Sequence, residues 1–288
     1  MPVTYERRGQ VAVFTIDNGE LGVFTPVMHR ELHSHLTAFL VDPDVRVGVL
    51  TGRPGASFCA GDDIKVALPE RTRQQELEGY LFLHQNEGET PHRPGWDVDV
   101  MKLERYKPIV AAVDRYCLGQ GMVYLLHLTD LRVASTRAQF GLPEIGYGMG
   151  GAGGLTRLGL QIPHVEAMRL ALTGELMSAE RALAYHLVNE VVPESALMAG
   201  AMALAEQVAA QPPVAVRVEM EAYYRSFDLS RDDNLRYALN LYRLQRIGYE
   251  GYGAGTGFFK RGKDVARREG GEGAEGGGGA EGGGGRHD

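Results

Sequence analysis

The sequence is poor in cysteine, in long apolar runs and in positive charge. Its two cysteines, Cys59 and Cys117, lie far apart, so we expect no disulfide framework and a cytoplasmic location. No stretch reaches 18 uninterrupted apolar residues, and residues 1–8 lack the apolar run of a signal peptide, so we predict no membrane partner. The formal net charge of −7 over 288 residues shows no global basic excess, so we predict no nucleic-acid partner.

The apolar residues predict an α/β fold. Four short apolar runs are expected to be strands covered on both faces, at residues 11–16, 45–50, 109–113 and 131–134. Helical patterns separate these runs, which favours right-handed crossovers and a largely parallel sheet. Thr25 and Pro26 predict a helix start, because Thr is a good N-cap and Pro suits the first helical position.

Composition and pattern also predict how the chain is organised. We assign residues 1–195 to an α/β core that holds the active site, with a helix and a long loop over residues 66–106. Helical patterns dominate residues 196–263, including a helix start at Pro213. Residues 264–288, rich in Gly and Glu, are expected to form a flexible tail because they cannot bury apolar surface.

Three glycine-containing segments are candidates for the chemistry. Residues 57–65 and 117–122 each follow a predicted strand, and such turns leave backbone N–H groups free at a helix N-terminus. Two of these groups facing one point would form an oxyanion hole. The third segment, residues 140–154, places Glu144 in an apolar, glycine-rich setting where a carboxyl group has a raised pKa and can transfer protons.

Taken together, these segments resemble the crotonase (enoyl-CoA hydratase/isomerase) superfamily. The resemblance covers roughly residues 3–263 and depends on many short matches in the family order. The matching segments are SFCAGDDIK at 57–65, KPIVAAV at 107–113, LGQG at 118–121, TDLRVAS at 129–135, AQFGLPE at 138–144, GAGG at 151–154, LTG at 172–174 and LVNEVV at 187–192.

The resemblance implies an α/β fold built as a spiral of ββα units, with a C-terminal helical region that builds a homotrimer or a dimer of trimers. It implies an enzyme of the lyase or isomerase class, an enoyl-CoA hydratase or isomerase of the kind found in fatty acid metabolism. The backbone N–H groups of Asp62 and Gln120 would bind the thioester oxygen, and Glu144 would move the proton. No metal or cofactor is implied beyond the coenzyme A of the substrate.

The resemblance also implies a set of substrate-binding positions. Lys65 matches a basic position near the CoA phosphates, and residues 258–261 match a C-terminal segment that helps to cover CoA. The implied substrate- and CoA-binding residues are Ala60, Gly61, Ile64, Lys65, Gly119, Gly121, Val123, Phe259 and Lys260.

One departure from the family leaves the reaction open. Family hydratases carry a second catalytic glutamate where this chain has Val123. A lone Glu144 can still isomerise a double bond, while hydration would need a water positioned by Glu144 or by another polar group such as Asp62. His84, His92 or Trp96 could also fold in from the long segment. The alternatives are a C–C bond hydrolase or decarboxylase, with or without CoA, and a catalytically silent binding subunit.

Two further patterns are interpreted as structural. His29 and His33 have the i, i+4 spacing of zinc ligands, but no third ligand is evident, so we predict a solvated helix face and no metal site. Cys59 and Cys117 are interpreted as small residues in tight turns and not as reactive thiols.

Overall fold

The computed structural model describes residues 2–65, 72–81 and 96–251. The chain forms two units, Met1–Tyr224 and Arg225–Asp288. The C-terminal positions Phe259 and Lys260, the histidines His84 and His92, and the predicted tail at 264–288 lie outside the described residues.

A six-stranded sheet with the order β1-β2-β3-β4-β6-β9 forms the centre of the first unit. The first pair is antiparallel and the other pairs are parallel. The strands are β1 (Val3–Arg8), β2 (Val11–Ile16), β3 (Val47–Gly52), β4 (Ile109–Val113), β6 (Leu131–Ser135) and β9 (Glu190–Val192). The largely parallel sheet was predicted, but β1 was not, because alternate residues of this edge strand are polar.

A second sheet of three short strands lies beside the first. Its order is β5 (Tyr116–Leu118), β7 (Gln139–Gly141) and β8 (Met177–Ser178). Since β4 is followed directly by β5 and then by a helix, two strands and a helix form one repeat of the ββα spiral. Strands of two or three residues give too little periodicity for a sequence pattern to predict.

The main sheet is buried on both faces, as its continuous apolar strands require. In β4, Val110 and Ala112 pack on one face against helix α8 (Leu197–Ala209), while Ile109, Ala111 and Val113 face the larger core. That larger core contains apolar residues of helices α1 (Pro26–Val41) and α4 (Gln120–Leu128).

Helix α1 begins where its capping residue predicts. Thr25 caps α1, its Oγ1 accepting a hydrogen bond from the Met28 N–H at 3.4 Å, and Pro26 is the first helical residue. The remaining helices are α2 (Arg73–Leu81), α3 (Trp96–Lys102), α5 (Ala152–Leu158), α6 (His164–Thr173), α7 (Ala179–Ala184), α9 (Pro213–Arg225) and α10 (Arg231–Gly251). Within the described ranges, no helix is long and apolar enough to cross a membrane.

Candidate active site

The turn after β3 is attached to β5 by backbone hydrogen bonds. The Cys59 N–H donates to the Tyr116 carbonyl, and the Leu118 N–H donates to the Cys59 carbonyl, both at 2.9 Å. Cys59 and Cys117 therefore pair as neighbours in a parallel bridge. Burial raises the pKa of the Cys59 thiol to about 12, so at neutral pH it is a protonated packing group and a poor nucleophile.

The same turn continues into a bridge between Asp62 and Phe24. The Phe24 N–H donates to the Gly61 carbonyl at 2.8 Å, and the Asp63 N–H donates to the Phe24 carbonyl at 2.7 Å. In a parallel bridge, the residue between two bonded neighbours turns its own N–H to the opposite side. The Asp62 N–H is therefore directed away from Phe24.

The second turn leads from β5 into α4. Gly119 is the N-cap of this helix with a positive φ of 53°, and its N–H donates to the Gly141 carbonyl at 3.1 Å. Gln120 is the first residue of α4, so its N–H has no acceptor within the helix. A side chain at Gly121 would clash with the first turn, since a β-carbon there would lie 2.4 Å from the Cys59 carbonyl oxygen.

Glycines bring the two turns into direct contact. A β-carbon built on Gly61 would lie 3.8 Å from the Gln120 nitrogen, and one built on Gly119 would lie 3.5 Å from the Gly61 α-carbon. Gly61 also has a positive φ, 113°, a conformation that side chains other than glycine rarely adopt. The residues expected to form the oxyanion hole, Asp62 and Gln120, are thus next to this contact.

The Glu144 carboxyl group lies against the same contact. Glu144 belongs to a short 3-10 helix, Pro143–Tyr147, and its Oε1 is 3.0 Å from the position of a β-carbon on Gly119. Its Oε2 is buried and accepts no hydrogen bond from the part of the chain that the structure describes. Burial raises the pKa of Glu144, and the negative charge of Asp62 raises it further.

Comparison with known proteins identifies the family. The model of the enoyl-CoA hydratase/isomerase family matches residues 6–244. The chain belongs to this family. An (E)-benzylidenesuccinyl-CoA hydratase of Thauera aromatica is 35% identical, and the match covers 85% of this chain and 91% of that protein. A carnitinyl-CoA dehydratase of Proteus mirabilis is 30% identical, with 84% of each chain covered.

Solved structures agree with this assignment. The crystal structure of an enoyl-CoA hydratase from Bacillus anthracis matches with a TM-score of 0.75 at 25% identity, covering 93% of this chain and 97% of that one. An enoyl-CoA hydratase from Mycobacterium tuberculosis H37Rv matches with a TM-score of 0.69 at 30% identity, covering 83% and 88%. The protein is therefore a crotonase-fold enzyme of the hydratase/isomerase family.

In this family member, Val123 is buried beside glycines of α5. Val123 is buried, and its Cγ1 and Cγ2 lie 3.5 and 3.4 Å from the positions of β-carbons on Gly153 and Gly154. The glycines at the start of α5 therefore approach α4 at the position where family hydratases carry a glutamate.

The other implied binding residues lie along the first turn. Ala60 is fixed by a hydrogen bond from its N–H to the Leu21 carbonyl at 2.9 Å. Ile64 is 82% exposed, and the Lys65 side chain is also exposed. Ile64 and Lys65 thus lie at the surface next to Asp62, in a position to meet a ligand from solvent.

The prediction of a solvated helix face is wrong for His29. His29 is 7% exposed, and its ring stacks on Phe24 with centroids 4.9 Å apart. Its Nδ1 contacts the Tyr124 hydroxyl at 2.5 Å, and its Nε2 contacts Asp62 Oδ1 at 3.1 Å. No group of three or more potential metal ligands occurs among the described residues.

Sequence reasoning missed this polar contact because its members are distant in the chain. His29 and Tyr124 are separated by 95 positions, and His29 and Asp62 by 33. The one available signal was Tyr124, a residue with a polar hydroxyl within an otherwise apolar run between Val123 and Leu125.

Proposed function

We propose that the protein is an enoyl-CoA hydratase that stabilises a thioester enolate with two backbone N–H groups. The observation that carries this proposal is the contact of the two glycine turns, with the Glu144 carboxyl group against it. The hydratase and dehydratase names of the two relatives support the reaction type.

The proposed oxyanion hole is formed by the N–H groups of Asp62 and Gln120. Both are backbone donors, so their geometry is fixed by the fold and does not depend on side-chain rotamers. Gln120 also begins α4, and the positive end of a helix dipole favours developing negative charge. Loss of one such donor costs about 10²–10³ in turnover in enzymes of this kind.

Glu144 is the proposed proton donor to the α-carbon of the substrate. A carboxyl group with a raised pKa keeps its proton closer to neutral pH and is therefore a better general acid. A bound acyl chain would exclude further water from the site and raise this pKa more. Glu144 then completes hydration by converting the enolate into the saturated thioester.

Coenzyme A is proposed to enter along the exposed part of the first turn. Lys65 would contact its phosphates, and Ile64 would pack beside the pantetheine arm. The family resemblance implies that Phe259 and Lys260 also bind CoA, and it suggests a homotrimer or a dimer of trimers.

A second candidate reaction is isomerisation of a 3-enoyl-CoA to a 2-enoyl-CoA. The presence of Val123 in place of a second carboxylate favours it, because one carboxyl group is enough to move a proton between two carbons. Hydration remains the first proposal because the named relatives add or remove water.

The test is turnover of matched CoA thioesters by the purified protein. We expect the ultraviolet absorbance of a conjugated 2-enoyl-CoA to fall as water adds, and the β-hydroxyacyl product to appear by mass spectrometry. Conversion of a 3-enoyl-CoA without hydration would favour isomerisation. Binding of CoA thioesters without any turnover, or cleavage of a free β-diketone without CoA binding, would contradict the proposal.

A further inference from the structure

Three polar side chains form a hydrogen-bonded chain from the edge of the site into the core. Asp62 Oδ1 contacts His29 Nε2 at 3.1 Å, and His29 Nδ1 contacts the Tyr124 hydroxyl at 2.5 Å. The Asp62 side chain is 53% exposed, whereas those of His29 and Tyr124 are buried. The chain therefore joins a solvent-accessible carboxylate to a fixed interior pair.

The chemistry of the three groups determines the direction of these hydrogen bonds. An ionised carboxylate only accepts, so His29 Nε2–H donates to Asp62 Oδ1. In the tautomer that carries its proton on Nε2, the Nδ1 atom accepts from the Tyr124 hydroxyl. Both ring nitrogens are then hydrogen-bonded, so neither buried polar atom is left unpaired. Asp62 Oδ2 belongs to a half-exposed side chain and can accept a hydrogen bond from water.

This chain spans the two turns of the site. Asp62 follows Gly61, while Tyr124 follows Val123 and lies one helical turn after Gln120. The chain thus connects the first turn, through His29 of α1, to the helix that begins at Gln120.

Glu144 and Asp62 share the site but have different environments. One point, the position of a β-carbon on Gly119, is 3.0 Å from Glu144 Oε1 and 3.5 Å from the Gly61 α-carbon, next to Asp62. Glu144 is desolvated, with a buried Oε2, whereas Asp62 is half-exposed and bonded to an imidazole. Two carboxyl groups in unlike environments are suited to opposite roles, one as acid and one as base.

We propose that Asp62 is the water-activating base of this site, in place of the carboxylate absent at Val123, and that His29 and Tyr124 are positioning residues that hold it. This assignment rests on the proposed hydratase function. It gives Asp62 two roles: its N–H binds the thioester oxygen and its side chain activates water.

Each atom in the proposed step is accounted for. Asp62 Oδ2 removes a proton from water as the water oxygen bonds to the β-carbon. The electrons of the carbon–carbon double bond move to the thioester oxygen, which becomes the enolate. The carbonyl then re-forms as the α-carbon takes a proton from Glu144. Exchange with solvent returns one proton to Glu144 and removes one from Asp62, whose side chain is accessible.

Two reactions of the same enzyme separate the two carboxyl groups. Hydration of a 2-enoyl-CoA needs both, while exchange of the α-proton of a saturated acyl-CoA in heavy water needs Glu144 and the N–H groups alone.

The Asp62→Asn variant keeps the backbone N–H of residue 62 and removes only the carboxylate. We expect it to lower the kcat of hydration about 10²–10⁴-fold, the usual contribution of a general base. We expect its α-proton exchange to fall far less than hydration does, since Glu144 and both N–H groups remain and only the charge that raises the Glu144 pKa is lost. Glu144→Gln should lose both reactions.

The positioning residues give a graded second test. Tyr124→Phe and His29→Gln leave the Asp62 carboxylate in place, so each should lower the kcat of hydration about tenfold, less than loss of the base itself. KM and α-proton exchange should change little. Asp63→Asn is the matched control: its Oδ1 would still accept from the Lys65 N–H, and hydration should be retained.

Results from the variants and from the wild-type enzyme could each overturn the assignment. Hydration by Asp62→Asn near the wild-type rate would show that its carboxylate is not the base. Loss of exchange together with hydration in a folded Asp62→Asn protein would show a distorted enolate site instead. If Asp62→Asn does not fold, Tyr124→Phe provides the test instead. Unchanged hydration in that variant, or loss of its α-proton exchange, would then overturn the assignment. A wild-type enzyme that exchanges but hydrates no enoyl-CoA would contradict the proposed function, and with it this role.

Discussion

At the scale of single residues, Glu144 shows how position determines chemistry. Its carboxyl group has no described hydrogen-bond donor at Oε2, and burial raises its pKa. Leaving a polar atom unpaired normally destabilises a fold, so such groups are often found where they act on a ligand. Asp62, which lies at the surface of the same site, is not desolvated in this way.

The pH dependence of hydration tests the role of Glu144. Donation to the α-carbon requires the protonated acid, so the kcat should fall as pH rises through the pKa of Glu144. This fall should occur above the ordinary carboxyl value of 4.5, because burial raises the pKa. Glu144→Gln should lower the kcat about 10²–10⁴-fold. Its thermal unfolding midpoint should not fall, since the amide removes a desolvated charge. A wild-type-like kcat in this variant would exclude Glu144 from the mechanism.

Some properties of single residues could be predicted from local sequence patterns, whereas others depend on contacts between residues that are distant in the chain. Glu144 could be predicted because its setting, FGLPE followed by glycines, is continuous in the chain. The burial of His29 could not, since it depends on Phe24, Asp62 and Tyr124, which reach it from three different elements.

At the scale of secondary-structure elements, the close approach of α4 to the turn after β3 creates the site. Gly121 permits it, since a β-carbon there would lie 2.4 Å from the Cys59 carbonyl oxygen and 2.7 Å from the Cys59 β-carbon. Both neighbours belong to a buried, hydrogen-bonded turn that cannot move aside easily.

Gly121→Ala should therefore both destabilise the protein and reduce turnover. Overpacking of a rigid site costs about 1–3 kcal/mol in free energy of unfolding. Gly248→Ala is the control, because Gly248 lies in α10 with nothing within 4 Å of its β-carbon position, and alanine there should be neutral or mildly stabilising. Denaturant unfolding of the two variants provides the comparison. Equal stability would show that α4 does not need this close contact.

The long elements were predictable and the short ones were not. The central strands are continuous apolar runs, and α1 has a clear N-cap, so their existence follows from local sequence. The strand predicted at 45–50 lies at Val47–Gly52, a shift of two residues. The three strands of the small sheet pair with one another, β5 with β7 and β7 with β8, so their formation depends on partners that are distant in sequence.

At the scale of the whole molecule, family membership explains the order in which the site-forming segments occur along the chain. Two turns, a 3-10 helix and a helix N-terminus from separate ββα units meet at one place because the spiral repeats return the chain to it. No single segment contains the site, so its parts could be recognised in sequence while their distances could not.

Assembly is the molecular-scale prediction. If the C-terminal helices build the homotrimer or dimer of trimers proposed from the family resemblance, the protein in solution should have three or six times the chain mass of 31.4 kDa. Light scattering coupled to size-exclusion chromatography measures this directly. A monomeric mass across a range of concentrations would contradict it.

The proposed function depends above all on the convergence of the Asp62 and Gln120 N–H groups on the thioester carbonyl. Isotope-edited infrared spectroscopy tests this convergence most directly. A saturated acyl-CoA with a ¹³C-labelled carbonyl should absorb at lower frequency when bound than in water, because two fixed donors polarise the bond more than solvent does. Gln120→Pro removes one N–H at the first helical position, where proline is tolerated. The carbonyl frequency of the bound thioester should then move part of the way back toward its value in water. A bound carbonyl that absorbs as in water, or one unaffected by the proline, would contradict the account.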